Sequence, residues 1–186
     1  MGIIYSLHGA RPIPSCMVWP GDADRNFAER LLQGHRGKKL LGIGPGANWP
    51  GKIWPQRNYL RLIGCLQQEF EAVVLLGDDK DRELSQVIAE KSVLPCINLC
   101  GGTTLLQAAA VLHEMSVFIG NDSGLGHMAS GVNIPTLTFF GVGQPERYHP
   151  WGNKARWLVG AGQKIENISV DDVVSGVVSS LEQSCP

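Results

Sequence analysis

Short apolar runs, most of them closed by a glycine, alternate along this chain with segments of helical periodicity. The runs are KLLGIG (39–44), AVVLLG (72–77), CINL (96–99), VFIG (117–120), TLTFFG (136–141) and ARWLVG (155–160). Between them, QRNYLRLIGCLQQEF (56–70) sets Tyr59, Leu62, Ile63, Leu66 and Phe70 at the intervals of one helix face. KDRELSQVIAEK (80–91), TLLQAAAVLHEM (104–115), the small-residue stretch SGLGHMASG (123–131) and SVDDVVSGVVSSLEQ (169–183) read as further helices.

Apolar runs of this length without alternation suit strands buried on both faces. Alternating them with helices implies right-handed βαβ units. The expected fold is therefore α/β, a three-layer Rossmann-like domain with a mainly parallel sheet. Ligands of such sheets bind beyond the carboxyl ends of the strands, which here are the glycine-bearing segments. Residues 1–36 read differently. Pro12, Pro14 and Pro20 break the first part, and DADRNFAERLL (22–32) looks like one short helix opening at an acidic cap. The division expected is an N-terminal arm over 1–36 and a Rossmann-like domain over 37–186.

The length of 186 residues suits a single domain, with 44% hydrophobic and 18% charged residues near globular averages. A formal net charge of -1 offers no basic stripe for nucleic acid. The 5 cysteines, Cys16, Cys65, Cys96, Cys100 and Cys185, are odd in number and irregular in spacing. That argues against a disulfide framework, and they are expected to be buried, reduced thiols. MGIIYSLHGARPIP lacks the basic start and apolar core of a signal peptide. No apolar stretch approaches the roughly 18 residues that cross a bilayer.

Two segments carry candidate chemistry. In GPGANWPGKIWP (44–55) a strand delivers Gly44, Pro45, Gly46 and Ala47, where the backbone can approach a ligand closely, and Lys52 follows with a charge suited to a phosphate. Gly46 to Lys52 also fits the P-loop pattern GxxxxGK. Against that reading, Ile53 occupies the place of the magnesium-binding Ser or Thr, Pro50 lacks the N–H a phosphate cradle uses, and Pro55 interrupts the expected helix. A glycine-rich loop with a solvated lysine is the plain alternative.

In FIGNDSGLGHMASG (118–131) a strand ends at Gly120, and Asn121 and Asp122 are both good helix N-caps. Ser123, Gly124, Leu125 and Gly126 are expected to form the first turn, whose unpaired N–H groups make an anion site fit for a diphosphate. Asp122 repels that phosphate and suits a cap or sugar hydroxyls better. His127 lies about one turn after Ser123, so both are expected to face one cleft. A serine hydrolase is the rival for Asp122, Ser123 and His127, but no GxSxG elbow is present.

These segments resemble glycosyltransferase family nine, the ADP-heptose:lipopolysaccharide heptosyltransferases. The resembling residues are GPGANWPGKIWP (44–55), VVLLGDDKDRE (73–83), INLCGGTTLLQAA (97–109), GNDSGLGHMASGVNIPTLTFFG (120–141) and PERYHPWG (145–152). The family pairs two Rossmann-like domains across a cleft, the GT-B arrangement, and this chain looks like the C-terminal, donor-binding one. The resemblance implies that Lys52 neutralises the donor diphosphate, with Gly46 letting the backbone come close. The amides of Ser123 and Gly124 would bind the same phosphates, and Asp122 would hold hydroxyls of the transferred sugar. Asp81 would hold the ribose, although the alignment there can slip to Asp79 or Glu83. Thr103 and Thr104 would border the adenine, and His127 would stand beside the phosphates or the acceptor. Lys52, Asp122 and His127 are thus the candidate catalytic residues.

The implied reaction is inverting transfer of heptose from an ADP-sugar to a lipopolysaccharide core saccharide, without a metal or other cofactor. The implied location is the cytoplasm, peripherally at the inner face of the cytoplasmic membrane. The family's general base is a carboxylate of the N-terminal domain, which also holds the lipid-linked acceptor, and residues 1–36 cannot supply it. A non-catalytic nucleotide-sugar module is therefore the second reading. A cleft face without its partner domain is expected to expose Trp49, Trp54, Tyr148 or Trp151 and to favour a homodimer.

Overall fold

The apolar runs are all strands, and a computed structural model describes residues 16–182 of the chain. In order, α1 (Asp22–Leu31) precedes β1 (Leu40–Gly44), α2 (Gln56–Cys65), β2 (Ala72–Leu75), α3 (Arg82–Lys91) and β3 (Cys96–Asn98). Then come α4 (Leu105–His113), β4 (Val117–Asn121), α5 (Gly124–Gly131), β5 (Thr136–Phe140), the one-turn α6 (Pro145–Tyr148), β6 (Ala155–Val159) and α7 (Val170–Glu182). The pattern did not announce α6 or the single 3-10 turns at Gln33–His35, Pro50–Lys52, Asp79–Asp81, Ala161–Gln163 and Ile165–Asn167. One turn is too short to display a period.

The six strands form one sheet in the order β3-β2-β1-β4-β5-β6. Every pairing is parallel. The α/β class expected from the alternation is what the chain adopts, with helices on both faces as a parallel sheet requires. Alternate strand residues divide the core. Leu41, Ile43, Val73, Leu75, Ile119 and Phe139 face α2, α3 and α7, where Tyr59, Leu62, Ile88 and Val173 are buried with them. Leu40, Val74 and Phe118 face α1, α4 and α5 together with Ala28, Ala109, Val111 and Ala129. The second layer sits very close to the sheet. A Cβ on Gly42 would stand 3.0 Å from Met115 Cγ, and one on Gly126 would stand 2.6 Å from Thr138 Cγ2.

The segment before β1 is joined to this body. Ala28 and Leu32 are buried against the α4 side of the sheet. The Val18 N–H donates to Gly131 O at 2.8 Å. Helix α1 opens differently from the expected acidic cap. Gly21 is the boundary residue, and Asp24, three positions on, accepts the Gly21 N–H at 3.0 Å. Pro12 and Pro14 lie outside the described residues.

The cysteines correct one expectation. Cys100 is buried and Cys96 partly so, but Cys16 and Cys65 are exposed. Cys65 falls off the stripe Tyr59, Leu62, Ile63 and Leu66 that α2 and its end turn to the core, so its helical phase carries it outward. Cys185 lies outside the described residues.

Candidate functional site

Strand order reverses between β1 and β4, and the two strands end side by side there, Gly44 in register with Gly120. This is the switch point at which open α/β sheets bind ligands. A cavity of about 610 Å³ opens there, lined from the loops after β1, β2, β3 and β4.

Ser123 and Gly124 line the cavity. Ser123 is the boundary residue of α5, with extended backbone, and its side chain makes no capping bond. Its buried Oγ has no hydrogen-bond partner among the described residues. Neither Asn121 nor Asp122 caps the helix, contrary to expectation. Asn121 is the last residue of β4. The Asp122 N–H still donates to Phe139 O at 3.0 Å, so sheet bonding runs on and the turn begins only at Ser123. The first turn is accordingly one residue later than expected. The opening amides of a helix lack intrahelical acceptors, so at Gly124 and Leu125 they offer donors to an anion.

Lys52 closes the 3-10 turn Pro50–Lys52, and its Nζ donates to Asp122 Oδ2 at 2.5 Å. The lysine side chain is 32% exposed and the aspartate 14%. The pair stands outside the cavity's lining and is joined to it by Ser123, which follows Asp122 in sequence. Sequence positions 70 apart are thus brought to one place, with the ammonium and the helix terminus on the same side of the sheet.

The loop after β2 brings Asp78, Asp79 and Asp81 to the lining, together with Lys80. Asp81 Oδ2 accepts the Asp78 N–H at 3.0 Å. The Asp81 carboxylate fills the space beside Gly46, where a Cβ would stand 1.8 Å from Oδ1. Gly46 therefore serves a close approach, but to Asp81 within the wall. Burial pushes the Asp81 carboxyl above the usual carboxylate range, opposed by the Asp78 amide and raised further by the Asp78 charge. Of the two alternative acids, Asp79 pairs with Arg82 Nε at 2.7 Å and Glu83 points to solvent from α3. Thr103 and Thr104 both line the cavity. Thr104 Oγ1 accepts the Gln107 N–H at 3.2 Å while Gln107 Oε1 accepts the Thr104 N–H at 3.0 Å, a capping box that opens α4. Leu105, Ala108, Leu125 and Met128 give the cavity an apolar side.

His127 is exposed on α5 and lies outside the cavity wall. The helix turns Gly124, Leu125 and Met128 inward, and His127 falls on the neighbouring solvent side. Ser123 and His127 share no hydrogen bond, which removes the hydrolase arrangement. The P-loop reading also fails on geometry. Pro50–Lys52 is a 3-10 turn, and α2 begins only at Gln56 behind Pro55. Among the described residues no group of three or more His, Cys, Asp or Glu gathers to hold a metal ion.

Trp54 departs from the expected exposed aromatics. It is fully buried, edge-on to Tyr59 at 4.9 Å and tilted on Phe139 at 5.0 Å, and its Nε1–H donates to Ile168 O at 3.1 Å. A strand-to-helix loop this long needs an anchor, and the indole supplies it. Trp49, Tyr148 and Trp151 are exposed as expected. Asn121, expected only as a helix cap, is instead fully buried and bonded to the Lys52 loop. Its place at the end of an apolar strand was the available signal.

The family model for glycosyltransferase family 9 (heptosyltransferase) matches residues 19–175. Lipopolysaccharide heptosyltransferase 2 of Escherichia coli K12 is 30% identical over 159 residues, which cover 81% of this chain and 46% of that protein. Lipooligosaccharide heptosyltransferase 2 of Haemophilus influenzae is 34% identical over 123 residues, 63% of this chain and 36% of that protein. The solved structure of the E. coli ADP-heptose lps heptosyltransferase II superposes with a TM-score of 0.80 at 28% identity, over 94% of this chain and 56% of that one. A glycosyl transferase family 9 structure from Veillonella parvula gives a TM-score of 0.88 at 20% identity, a likeness of fold. The chain spans about half the length of the curated relatives it matches.

Proposed function

The chain belongs to glycosyltransferase family 9, and from that premise we propose that it is the donor-binding half of a GT-B heptosyltransferase, holding an ADP-sugar at the β1–β4 switch point. One observation carries the reading: Lys52 is bonded to Asp122 directly before the start of α5, and that helix terminus opens onto a cavity also lined by Asp81, Thr103 and Thr104. A nucleoside diphosphate matches that distribution. Its phosphates face the ammonium, the Ser123 hydroxyl and the opening amides, its ribose hydroxyls face the Asp81 carboxylate, and its base lies along the apolar side.

In the proposed reaction an acceptor hydroxyl attacks the anomeric carbon of the heptose with inversion, and ADP departs. Negative charge grows on the leaving phosphate, and Lys52 and the α5 terminus stabilise it with preset donors. Asp122 holds Lys52 in place and turns its other oxygen to hydroxyls of the sugar. His127, exposed on α5 outside the cavity wall, is assigned to the acceptor. The general base is a carboxylate of the other half of the enzyme, which also holds the lipid-linked core saccharide. Such an enzyme works in the cytoplasm at the inner face of the membrane. No helix among the described residues is long and apolar enough to cross one.

The rival outcome is a nucleotide-sugar module that binds without transfer. Both readings predict binding, and only the first predicts turnover. ADP at about a hundred times its Kd should stabilise the fold by about 2.7 kcal/mol, a rise of about 5–10 °C in Tm. No rise with millimolar ADP or ADP-sugar would sink both. Heptose transfer on adding a family N-terminal domain with core acceptor separates them. The exposed Trp49, Tyr148 and Trp151 further suggest self-association. A single monomer peak at every loading concentration in size exclusion would dispose of that.

A further inference from the structure

We infer that Asn121 is a positioning residue that sets the Lys52 loop against the α5 terminus; this rests on the donor-site reading above. Asn121 has no solvent exposure, and its amide uses its full capacity. Oδ1 accepts the Trp54 N–H at 3.0 Å and the Tyr59 O–H at 3.0 Å. Nδ2 donates to Pro45 O at 2.8 Å and to Gly46 O at 3.3 Å. One side chain thus binds both ends of the loop, before and after Lys52, to the end of β4. Asp122 and Ser123 follow it directly in sequence. The two halves of the phosphate end are therefore referred to a single rigid point.

The chemistry singles out asparagine. Two donors face one side of the amide and two carbonyls face the other, so only a group with an acceptor and a donor satisfies all four. An aspartate there aims an ionised oxygen at two carbonyl oxygens. Protonated, it restores a donor toward one of them. Burial and those carbonyls both favour the neutral acid. The Asn121→Asp variant should then hold the loop at low pH and release it as pH rises through its raised carboxyl pKa. The titratable groups near position 121 are the Tyr59 hydroxyl, which burial keeps neutral, the Lys52–Asp122 pair, and Asp81 beyond Gly46. All of them are present in the wild type, so ratios to wild type at each pH remove their contribution.

The experiment measures ADP affinity by calorimetry and hydrogen exchange at the Trp54 amide, for wild type and Asn121→Asp, from acid to mildly alkaline pH. Expected is an affinity ratio near unity at the acid end that falls about tenfold or more at the alkaline end. Trp54 exchange should quicken in parallel. A role in stability alone would lower Tm yet leave the pH profile of ADP affinity parallel to wild type, and that result overturns the inference. If Asn121→Asp does not fold, Tyr59→Phe removes one of the two donors to Oδ1. It should weaken ADP about fivefold and speed Trp54 exchange, and wild-type values for both would overturn the inference. A wild type that binds no ADP would end the donor-site reading but not the hub. Trp54 exchange then decides alone: pH-dependent quickening in Asn121→Asp supports the hub, and unchanged protection refutes it.

Discussion

Replacing Lys52 with alanine tests the site at its electrostatic centre. The ammonium is 2.5 Å from Asp122 Oδ2, with a third of the lysine side chain and a seventh of the aspartate reaching solvent. Screening there lies between bulk water and protein interior, so two unit charges about 4 Å apart interact by about 1–4 kcal/mol. A charge-assisted hydrogen bond to a phosphate contributes about 1.5–3 kcal/mol. The substitution also leaves the Asp122 carboxylate without its counter-charge, beside the place of the diphosphate. Solvent reaches the lysine, so the low end of these ranges applies. The expected loss is about 2–3 kcal/mol, or about 30- to 150-fold in ADP affinity.

Titration calorimetry at two salt concentrations reads that change, which should shrink as salt screens the wild-type interaction. Adding Asp122→Asn to Lys52→Ala should recover part of the affinity, because the repelling carboxylate is gone. The free protein should also lose about 1–2 kcal/mol, between the cost of breaking an exposed and a buried pair. That corresponds to a fall of about 2–8 °C in Tm. Lys52→Ala binding ADP within twofold of wild type, while folded, would refute the assignment of the ammonium to the phosphates.

Three other outcomes follow from the same geometry. Gly46→Ala sets a methyl 1.8 Å from Asp81 Oδ1 and must displace the carboxylate. Expected are a lower Tm and weaker ADP binding, and wild-type affinity would show that Asp81 does not hold the ligand. Burial raises the Asp81 carboxyl pKa in the fold, so its ionisation works against stability as pH rises from below 3.8 through the folded value. Asp81→Asn should therefore raise Tm at pH 7, with the gain vanishing in acid, while weakening ADP. A lower Tm at pH 7 would contradict the burial argument. Burial pushes the Cys96 thiol up to about 12 and the Cys100 thiol up to about 11, so both stay protonated near neutrality. Iodoacetamide at pH 8 should label Cys16 and Cys65 first, as mass spectrometry of peptides will reveal.

The pattern of apolar residues was enough to settle the fold class and the position of every strand. A strand buried on both faces must be apolar throughout, and VFIG or AVVLLG carries that requirement within a few residues. It also located the cavity in outline, because glycines collect where such strands end. What local pattern does not carry is which side chain meets which across the sheet. Asn121 and Asp122 read as helix caps because caps are a local preference. In the folded chain one is bonded to loop 45–54 and the other to Lys52, partners about 70 positions away. Trp54 read as a cleft aromatic, yet its indole N–H finds Ile168 O at the far end of the chain and its ring finds Phe139 on β5. Partner choice of this kind depends on the strand order β3-β2-β1-β4-β5-β6, which brings the loop after β1 beside the end of β4. Burial energy acts on each residue where it stands, so it leaves a trace in sequence. A hydrogen bond between distant residues leaves none until the sheet has assembled.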